Sequence, residues 1–357
     1  MSTNNNHLNH SLILIVLLLI AFATKSEQSK QIPALYVFGD SLVDSGNNHY
    51  LPGEYSQNFF PYGIDFGTPT GRCTNGKTVA DFLAIYLGLP FAPAYLGLSR
   101  SKRNRIVTTG INYASAGSGI LPDTSNKTSV IMDEQINGFE RTIKEILPKG
   151  LSKEAVEKHV SESLFLVSSG VNDHFKNGTF RGSRKFASYL IKEFKIRLLI
   201  LYNLGARKFF VNNVPPAGCF PSITLHSKPI GKCSEKMNKQ ISFYNKKLLI
   251  LLHELQTQLP GFTFVHSDLN KSIMEISENP HKYGASKLAV KFWISRTCKE
   301  WALGAIIVWA PRFGQIRNII SRSCLGILTL RMGRLFLIEA MKTMPSNMVK
   351  LATNLTL

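Results

Sequence analysis

Acidic side chains are scarce in this sequence. Its 357 residues include 23 Asp and Glu against 42 Lys and Arg, which gives a formal net charge of +19. Residues 285–357 contain eleven Lys and Arg, two Glu and neither Asp nor His, so this tail alone contributes +9. The other basic residues are scattered and do not alternate with aromatic residues as they would along a nucleic-acid groove. We therefore expect no nucleic-acid partner.

An apolar run long enough to span a bilayer is missing from the N-terminal region. The run SLILIVLLLIAFA, residues 11–23, is shorter than the roughly 20 residues that a membrane helix needs. No Lys or Arg precedes it, but its length and the small residues Ala21 and Ala23 are typical of a secretory signal peptide. The alternative is a membrane anchor. We expect residues 1–25 to be a signal peptide, the mature protein to be secreted and extracellular, and no stable insertion into a membrane.

Cysteine is rare as well, with five residues, an odd number. Cys219 and Cys233 flank one polar loop and are the pair that we expect to form a disulfide in an oxidising compartment. Asn-x-Ser/Thr triplets agree with export and predict glycosylation at Asn126, Asn177, Asn270 and Asn354.

Repeats and low-complexity linkers are absent, and five apolar runs alternate with helical segments. The runs are ALYVFGDS (34–41), GINYASAG (110–117), SLFLVSSGVND (163–173), KFFVNNVPP (208–216) and FTFVHSDL (262–269). Amphipathic segments start near Lys77, Ser129, Arg184 and Ser234. Continuous hydrophobicity in the strands predicts a parallel sheet that is covered on both faces. The sequence therefore predicts one three-layer α/β/α domain with a five-stranded parallel sheet.

Small and polar residues end the first three of these runs. The ends are Gly39-Asp40-Ser41, Ser115-Ala116-Gly117 and Gly170-Val171-Asn172-Asp173. Functional groups gather at the carboxyl ends of the strands in such sheets. We therefore expect the three ends to converge on one site.

The sequence has no G-x-S-x-G motif, so the usual nucleophile elbow is missing. Ser41 can still act as a nucleophile if amide donors face the developing oxyanion. The backbone N–H groups of Ser41 and Gly117 and the side-chain amide of Asn172 are candidates, and the N-terminal amides of a following helix would favour negative charge near Ser41.

Each candidate also has a simple structural interpretation. Asp40 and Ser41 can cap the following helix. Gly117 can serve a turn, and Asn172-Asp173 can form an Asx turn or a helix cap. The functional interpretation depends on the conjunction of the three strand ends.

Six motifs resemble the plant GDSL esterase/lipase family within the SGNH hydrolases. They are FGDSLVDSGNN, PYGIDF with TGRCTNGKTVADFLA, GINYASAGSGIL, SLFLVSSGVNDH, NNVPPAGCFPS and NPHKYG, in family order between residues 34 and 284. The resemblance implies a hydrolase domain over residues 30–284, a flavodoxin-like fold, and hydrolysis of acyl esters with no metal and no cofactor. It implies that Ser41 is the nucleophile and that Gly117 and Asn172 complete the oxyanion hole. Cys219 and Cys233 match a cysteine pair found in many members.

The family's closing Asp-x-x-His-Pro block has no counterpart in this sequence. No His has an Asp three residues before it, so a catalytic Asp/His pair is not identifiable. Glu278 lies three residues before His281, but the matching family segment is a structural loop. A serine without its base is a weak nucleophile. We expect an esterase that is impaired as written; the alternative is an inactive extracellular ligand-binding protein.

Residues 285–357 form a divergent basic tail, for which we hypothesise a shifted reading frame. Residues 325–336 can be back-translated so that a neighbouring frame begins Trp-Asp and continues to Pro and small residues, as in the missing block. Sequencing of transcripts tests this. We expect a frame change after Ala285, and one open frame through Leu357 in several transcripts would contradict the hypothesis.

Overall fold

The structure is a computed structural model that describes residues 32–52, 57–98, 107–124, 128–176 and 179–283. All of these belong to one compact unit. The expected signal peptide, the basic tail 285–357 and the sequons at Asn126, Asn177 and Asn354 lie outside the described residues.

Four parallel strands form the central sheet, in the order β1-β2-β5-β6. Their bounds are Leu35–Gly39 for β1, Leu164–Ser168 for β2, Lys208–Asn212 for β5 and Thr263–Ser267 for β6. A small antiparallel hairpin, β3 (Phe175–Lys176) with β4 (Thr179–Phe180), lies outside this sheet. Gly39 at the end of β1 is paired with Ser168 at the end of β2, so these two carboxyl ends are level.

The prediction of five regular strands is wrong by one. The run 110–117 lies parallel to β1 through a single bridge between Val37 and Asn112. Backbone bonds continue beside that bridge, from Tyr113 N to Val37 O and from Ser115 N to Gly39 O. Asn112 bends the run away from a regular ladder, because its side-chain Oδ1 accepts from the N–H of Ala114, two residues on. β1 nevertheless lies between this run and β2, in the flavodoxin-like order.

Seven helices surround the sheet in the described part of the chain. They are α1 Val79–Tyr86, α2 Met132–Arg141, α3 Lys153–Glu162, α4 Arg184–Asn203, the one-turn α5 Pro221–Thr224, α6 Glu235–Gln258 and α7 Leu269–Glu278. Five of them begin at a side chain that accepts from a first-turn N–H, namely Thr78, Ser152, Ser183, Ser234 and Asp268. Four were predicted from the sequence, whereas α3, the one-turn α5 and α7 were not. None of the described helices is both long and apolar enough to cross a membrane.

Both faces of the sheet are buried, as the continuous hydrophobicity of its strands predicts. On one face, the strand residues Tyr36, Phe38 and Phe165 contact each other and Phe139 of α2. The ring centroids in these contacts are 5.0–6.3 Å apart. On the other face Leu35, Val37, Leu166 and Phe210 are equally buried. The class is therefore α/β with a parallel sheet.

A buried ion pair fixes the long connection between β1 and α1. Arg72 donates to both carboxylate oxygens of Asp81, at 2.8 Å each, and its side chain is 10% exposed. Asp81 also accepts from the backbone N–H of Thr78 and so closes the capping box of α1. Arg72 Nη1 lies 3.5 Å from Ser45 O, which connects α1 to the loop that follows Ser41.

We expect Arg72→Leu to lower the free energy of unfolding by about 3–5 kcal/mol, because it leaves the Asp81 carboxylate buried without its cation. The matched control is Lys144→Leu, which removes an exposed pair with Glu140 and is expected to cost less than about 0.5 kcal/mol. Urea unfolding measures both. Equal effects of the two substitutions would contradict the assignment of the Arg72–Asp81 pair as a core contact.

Candidate active site

Ser41 lies directly beyond the carboxyl end of β1, in a tight turn. The N–H groups of Val43 and Asp44 donate to Asp40 O, and the Asp40 side chain accepts from Leu42 N at 3.0 Å. Asp40 thus caps this turn, whereas its simple interpretation was the cap of a following helix. The expected α-helix after Ser41 is wrong: the chain makes one turn there, and a 3₁₀ segment begins at Asn47. Within residues 41–50, all of which the structure describes, no α-helix therefore supplies the N-terminal amides expected next to Ser41.

A glycine is required where β1 ends. Gly39 has φ +146°, and a Cβ there would collide with the carbonyl oxygen of Ser168. The close approach of β1 and β2 at this point places Ser41 beside the loop that follows β2. The strand end that leads to Ser41 is therefore packed backbone to backbone against its neighbour.

Buried polar side chains of the segment 44–48 hold the second strand end, 112–117. Asp44 Oδ2 and Asn48 Oδ1 both accept from the N–H of Ala116, at 3.0 and 2.9 Å. Asn48 Nδ2 donates back to Ala116 O, and Asn47 Nδ2 donates to Ala114 O. Burial raises the pKa of Asp44 to about 6, against backbone donors and the charge of Arg72, which lower it. The residues that follow Ser41 thus fix the segment 112–117.

Gly117 lies in the turn that this network holds. Its φ of +84° belongs to the left-handed region, and Ser118 N donates to Ser115 O across the turn. The turn interpretation of Gly117 therefore holds. A Cβ at Gly117 would meet Ser129 at 3.7 Å, an ordinary contact distance, so the left-handed backbone and not a lack of space favours glycine here.

Gln135 of α2 connects the first two strand ends. Its Oε1 accepts from Gly39 N at 2.9 Å, and its Nε2 lies 2.9 Å from Gly39 O and 3.0 Å from Ser118 Oγ. The residue is 1% exposed. One buried amide therefore holds both backbone groups of the glycine that precedes Asp40-Ser41, together with the residue that follows Gly117.

Asn172 and Asp173 attach the third strand end to the same loop. Asn172 Nδ2 donates to Ser118 O at 2.8 Å. The Asp173 carboxylate accepts from the N–H groups of Ile120 and Leu121, at 2.8 and 2.9 Å. Burial raises the pKa of Asp173, and these two hydrogen bonds oppose the rise. The Asp173 carboxylate thus holds the same loop as Asn172, and in the described residues it does not form the Asx turn of the simple interpretation.

Three donors around the turn are open. In the part of the chain that the structure describes, the backbone N–H groups of Ser41 and Gly117 donate to no acceptor. Asn172 Nδ2 uses one hydrogen for Ser118 O, which fixes the orientation of its amide and leaves the second hydrogen available. Neutral, pre-oriented donors of this kind can stabilise an oxyanion.

The described residues place no base beside Ser41. Ser41 Oγ makes no hydrogen bond to any of them, including the described histidines. His281 and Glu278, the one pair with a suitable spacing, are both exposed near the C-terminal end of α7, which follows β6. No hydrogen bond joins His281 to Ser41 in the described residues, so the structure gives no support to His281 as a substitute base.

Sequence reasoning missed the residues that hold the site together, above all Gln135. Its signal in the sequence was a polar residue on the apolar side of α2, between Met132 and Phe139. Asp44, Asn47 and Asn48 were visible as a dense polar segment after Ser41, but their partners lie about 70 residues away along the chain.

We expect Gln135→Met to loosen the end of β1, because the thioether keeps the volume but leaves Gly39 N without its acceptor and removes the amide that lies against Gly39 O and Ser118 Oγ. The expected loss of unfolding free energy is about 2–4 kcal/mol, from several buried groups left unpaired. Amide hydrogen exchange at Gly39 should accelerate more than global destabilisation explains. Gln256→Met, an exposed position of α6, is the control. Unchanged protection of Gly39 in Gln135→Met would contradict the clamp.

Comparison with known proteins agrees with this architecture. The sequence model of the family described as GDSL-like Lipase/Acylhydrolase matches residues 35–296, which extends past Gly284, where the motif resemblance ends. GDSL esterase/lipase 7 of Arabidopsis thaliana is 38% identical over 288 residues, which cover 76% of this chain and 78% of the relative. GDSL esterase/lipase At1g71691 of the same plant is 38% identical over 268 residues, covering 72% of this chain and 68% of the relative. The chain is therefore a member of the GDSL lipase/acylhydrolase family, with the carboxylic ester hydrolase chemistry that this family carries.

Proposed function

We propose that this protein is a secreted serine esterase for acyl esters in which Ser41 is the nucleophile. The observation that carries the proposal is the chain of hydrogen bonds from Gly39 through Gln135 and Ser118 to Asn172. It ties together the three loops that carry Ser41, Gly117 and Asn172, which supports the proposal that their amide donors face one region.

In the proposed reaction, Ser41 Oγ attacks the ester carbonyl carbon and loses its proton. The carbonyl oxygen becomes an oxyanion and accepts from Ser41 N, Gly117 N and Asn172 Nδ2. Collapse of the tetrahedral species breaks the bond to the alcohol, which leaves with a proton, and water then hydrolyses the acyl-enzyme. All three donors stay neutral throughout, so they stabilise the charge only as it develops.

Removal of the Ser41 proton is the step of this reaction that the sequence supports least. A serine hydroxyl without an adjacent base is rarely ionised at neutral pH. When a triad member is missing, the oxyanion hole and substrate binding alone still give about 10³–10⁴-fold acceleration over water. We therefore propose slow ester turnover for the sequence as written.

An inactive extracellular protein that binds ligands in the same cleft is the second candidate. It is favoured by the absence of an Asp-x-x-His block from the sequence. The proposed arrangement of the donors is equally compatible with binding a carbonyl or carboxylate group.

Two features support the proposal that the protein is secreted. The apolar run 11–23 is the basis for cleavage near residue 25, and the disulfide between Cys219 and Cys233 fits an oxidising compartment. Of the four proposed glycosylation sites, Asn270 is described: it is partly buried near the start of α7, and its Nδ2 lies 3.2 Å from Val214 O.

We expect the secreted protein to hydrolyse p-nitrophenyl butyrate slowly and to be labelled by a fluorophosphonate at Ser41. Ser41→Ala should abolish both, and Asn172→Ala should lower turnover about 100-fold through loss of one oxyanion donor. Ser188→Ala, an exposed serine of α4, is the matched control and should behave as the unaltered protein.

Added imidazole separates an impaired enzyme from an inactive binding protein. If Ser41 lacks only its base, imidazole should raise turnover about tenfold above its own reaction with the ester, and Ser41→Ala should show no such gain. Imidazole-independent turnover that survives Ser41→Ala, or no labelling under any condition, would contradict the esterase assignment.

A further inference from the structure

An exposed aliphatic tip and a cluster of cations lie together on one part of the surface. Leu225 and Ile230, in the loop between Cys219 and Cys233, are 48% and 77% exposed. Ile230 is the most exposed large hydrophobic side chain among the described residues. We call the docking face the set that consists of these two residues and the six exposed cations near them, Arg184, Lys185, Lys228, Lys232, Lys236 and Lys239.

The docking face is continuous. The loop that carries Leu225 and Ile230 leads directly into the first turns of α6, which contain Lys236 and Lys239. The start of α4 packs against the same part of α6: the Arg184 guanidinium lies 4.9 Å from the centroid of the Phe243 ring. The cations of both helices therefore flank the aliphatic loop.

The charge of this surface is strongly one-sided. Glu235 is the exposed acid within it, 87% exposed and 3.9 Å from Lys232. Six cations and one carboxylate give the docking face a net charge of about +5. At physiological salt these charges are screened over a length of about 8 Å. Such a field attracts a polyanionic surface.

The loop is held in shape although its tip is apolar and exposed. The disulfide between Cys219 and Cys233 closes its base. Inside the loop, Ser227 Oγ bonds to Thr224 O and Pro229 O at 2.8 Å and accepts from Lys232 N at 3.1 Å. The fixed loop therefore keeps the apolar side chain of Ile230 exposed to water in every copy of the molecule. Apolar surface exposed in this way is typical of an interaction site.

The position of the docking face relates it to Ser41. The loop follows β5 and α4 follows the loop after β2, so the aliphatic tip and the N-termini of α4 and α6 all lie at the carboxyl edge of the sheet. Ser41, Gly117 and Asn172 lie at this same edge. A flat surface that contacts the tip would meet the edge that contains the proposed active site.

We propose that the docking face binds an anionic lipid surface, with Ile230 and Leu225 inserted at the level of the headgroups and the six cations against the phosphates. Aliphatic side chains flanked by Lys and Arg are the combination that such interfaces select. The inference deepens the proposed function, since it brings esters held in a lipid aggregate to Ser41. Lipid binding itself requires no turnover and is tested separately.

The test is co-sedimentation of the secreted full chain, carrying Ser41→Ala to prevent lipid hydrolysis, with vesicles. We expect binding to vesicles of phosphatidylcholine with 30% phosphatidylglycerol, and little binding to phosphatidylcholine alone or in 1 M salt. Lys228→Gln with Lys232→Gln should weaken partitioning about 25-fold, at about fivefold per cation. Ile230→Ser should weaken it about tenfold through lost apolar burial.

Matched controls lie at the opposite edge of the sheet. Lys153→Gln with Lys158→Gln removes two exposed cations of α3, and Ile200→Ser alters a 40% exposed isoleucine near the end of α4. Both should bind as the parent does. No binding to anionic vesicles, or equal losses in the control and docking-face variants, would overturn the proposal. Butyrate ester turnover by the corresponding Ser41 proteins shows independently whether the esterase assignment stands.

Discussion

The site depends on one buried amide. Gln135 binds both the N–H and the carbonyl of Gly39 while it contacts Ser118 Oγ, so a single side chain fixes the strand end that leads to Ser41 against the loop that contains Gly117. Asn172 joins the same loop through Ser118 O. Because these contacts are buried and mutually oriented, they set the donor geometry before any substrate arrives, which is what electrostatic stabilisation of a transition state requires. The large apolar core positions α2 and the strands, and the polar contacts then align their ends.

In this molecule, the residues that align the three strand ends are separate from any base that would accept the proton of Ser41. The donors, the glycine turn and the buried network of Asp44, Asn47 and Asn48 all lie between residues 39 and 173, within the matched family region. The base that would activate Ser41 has no counterpart there among the described residues. The donors that we propose to stabilise charge are thus present, and their arrangement is compatible with both slow catalysis and ligand binding.

The sequence predicted the class of fold well because hydrophobic runs decide it. β1, β2, β5 and β6 are continuous apolar segments in the sequence, and the amphipathic segments predicted to start near Arg184 and Ser234 are α4 and α6. The fifth run failed as a regular strand because Asn112 uses its side chain on its own backbone, a choice that composition does not reveal. The helix expected after Ser41 failed because Asp40 caps a single turn. Gln135 could not be found at all, since its partner Gly39 is 96 residues away and one polar residue in an amphipathic helix has many possible roles.

The most direct test of this account is a crystal structure of the protein after reaction with an alkyl fluorophosphonate. We expect the phosphorus on Ser41 Oγ and its oxygen about 2.7–3.1 Å from Ser41 N, Gly117 N and Asn172 Nδ2, the distances of an oxyanion hole. An adduct on another residue, or a phosphonyl oxygen that points away from Gly117 and Asn172, would contradict the convergence of the three strand ends on which the account is built.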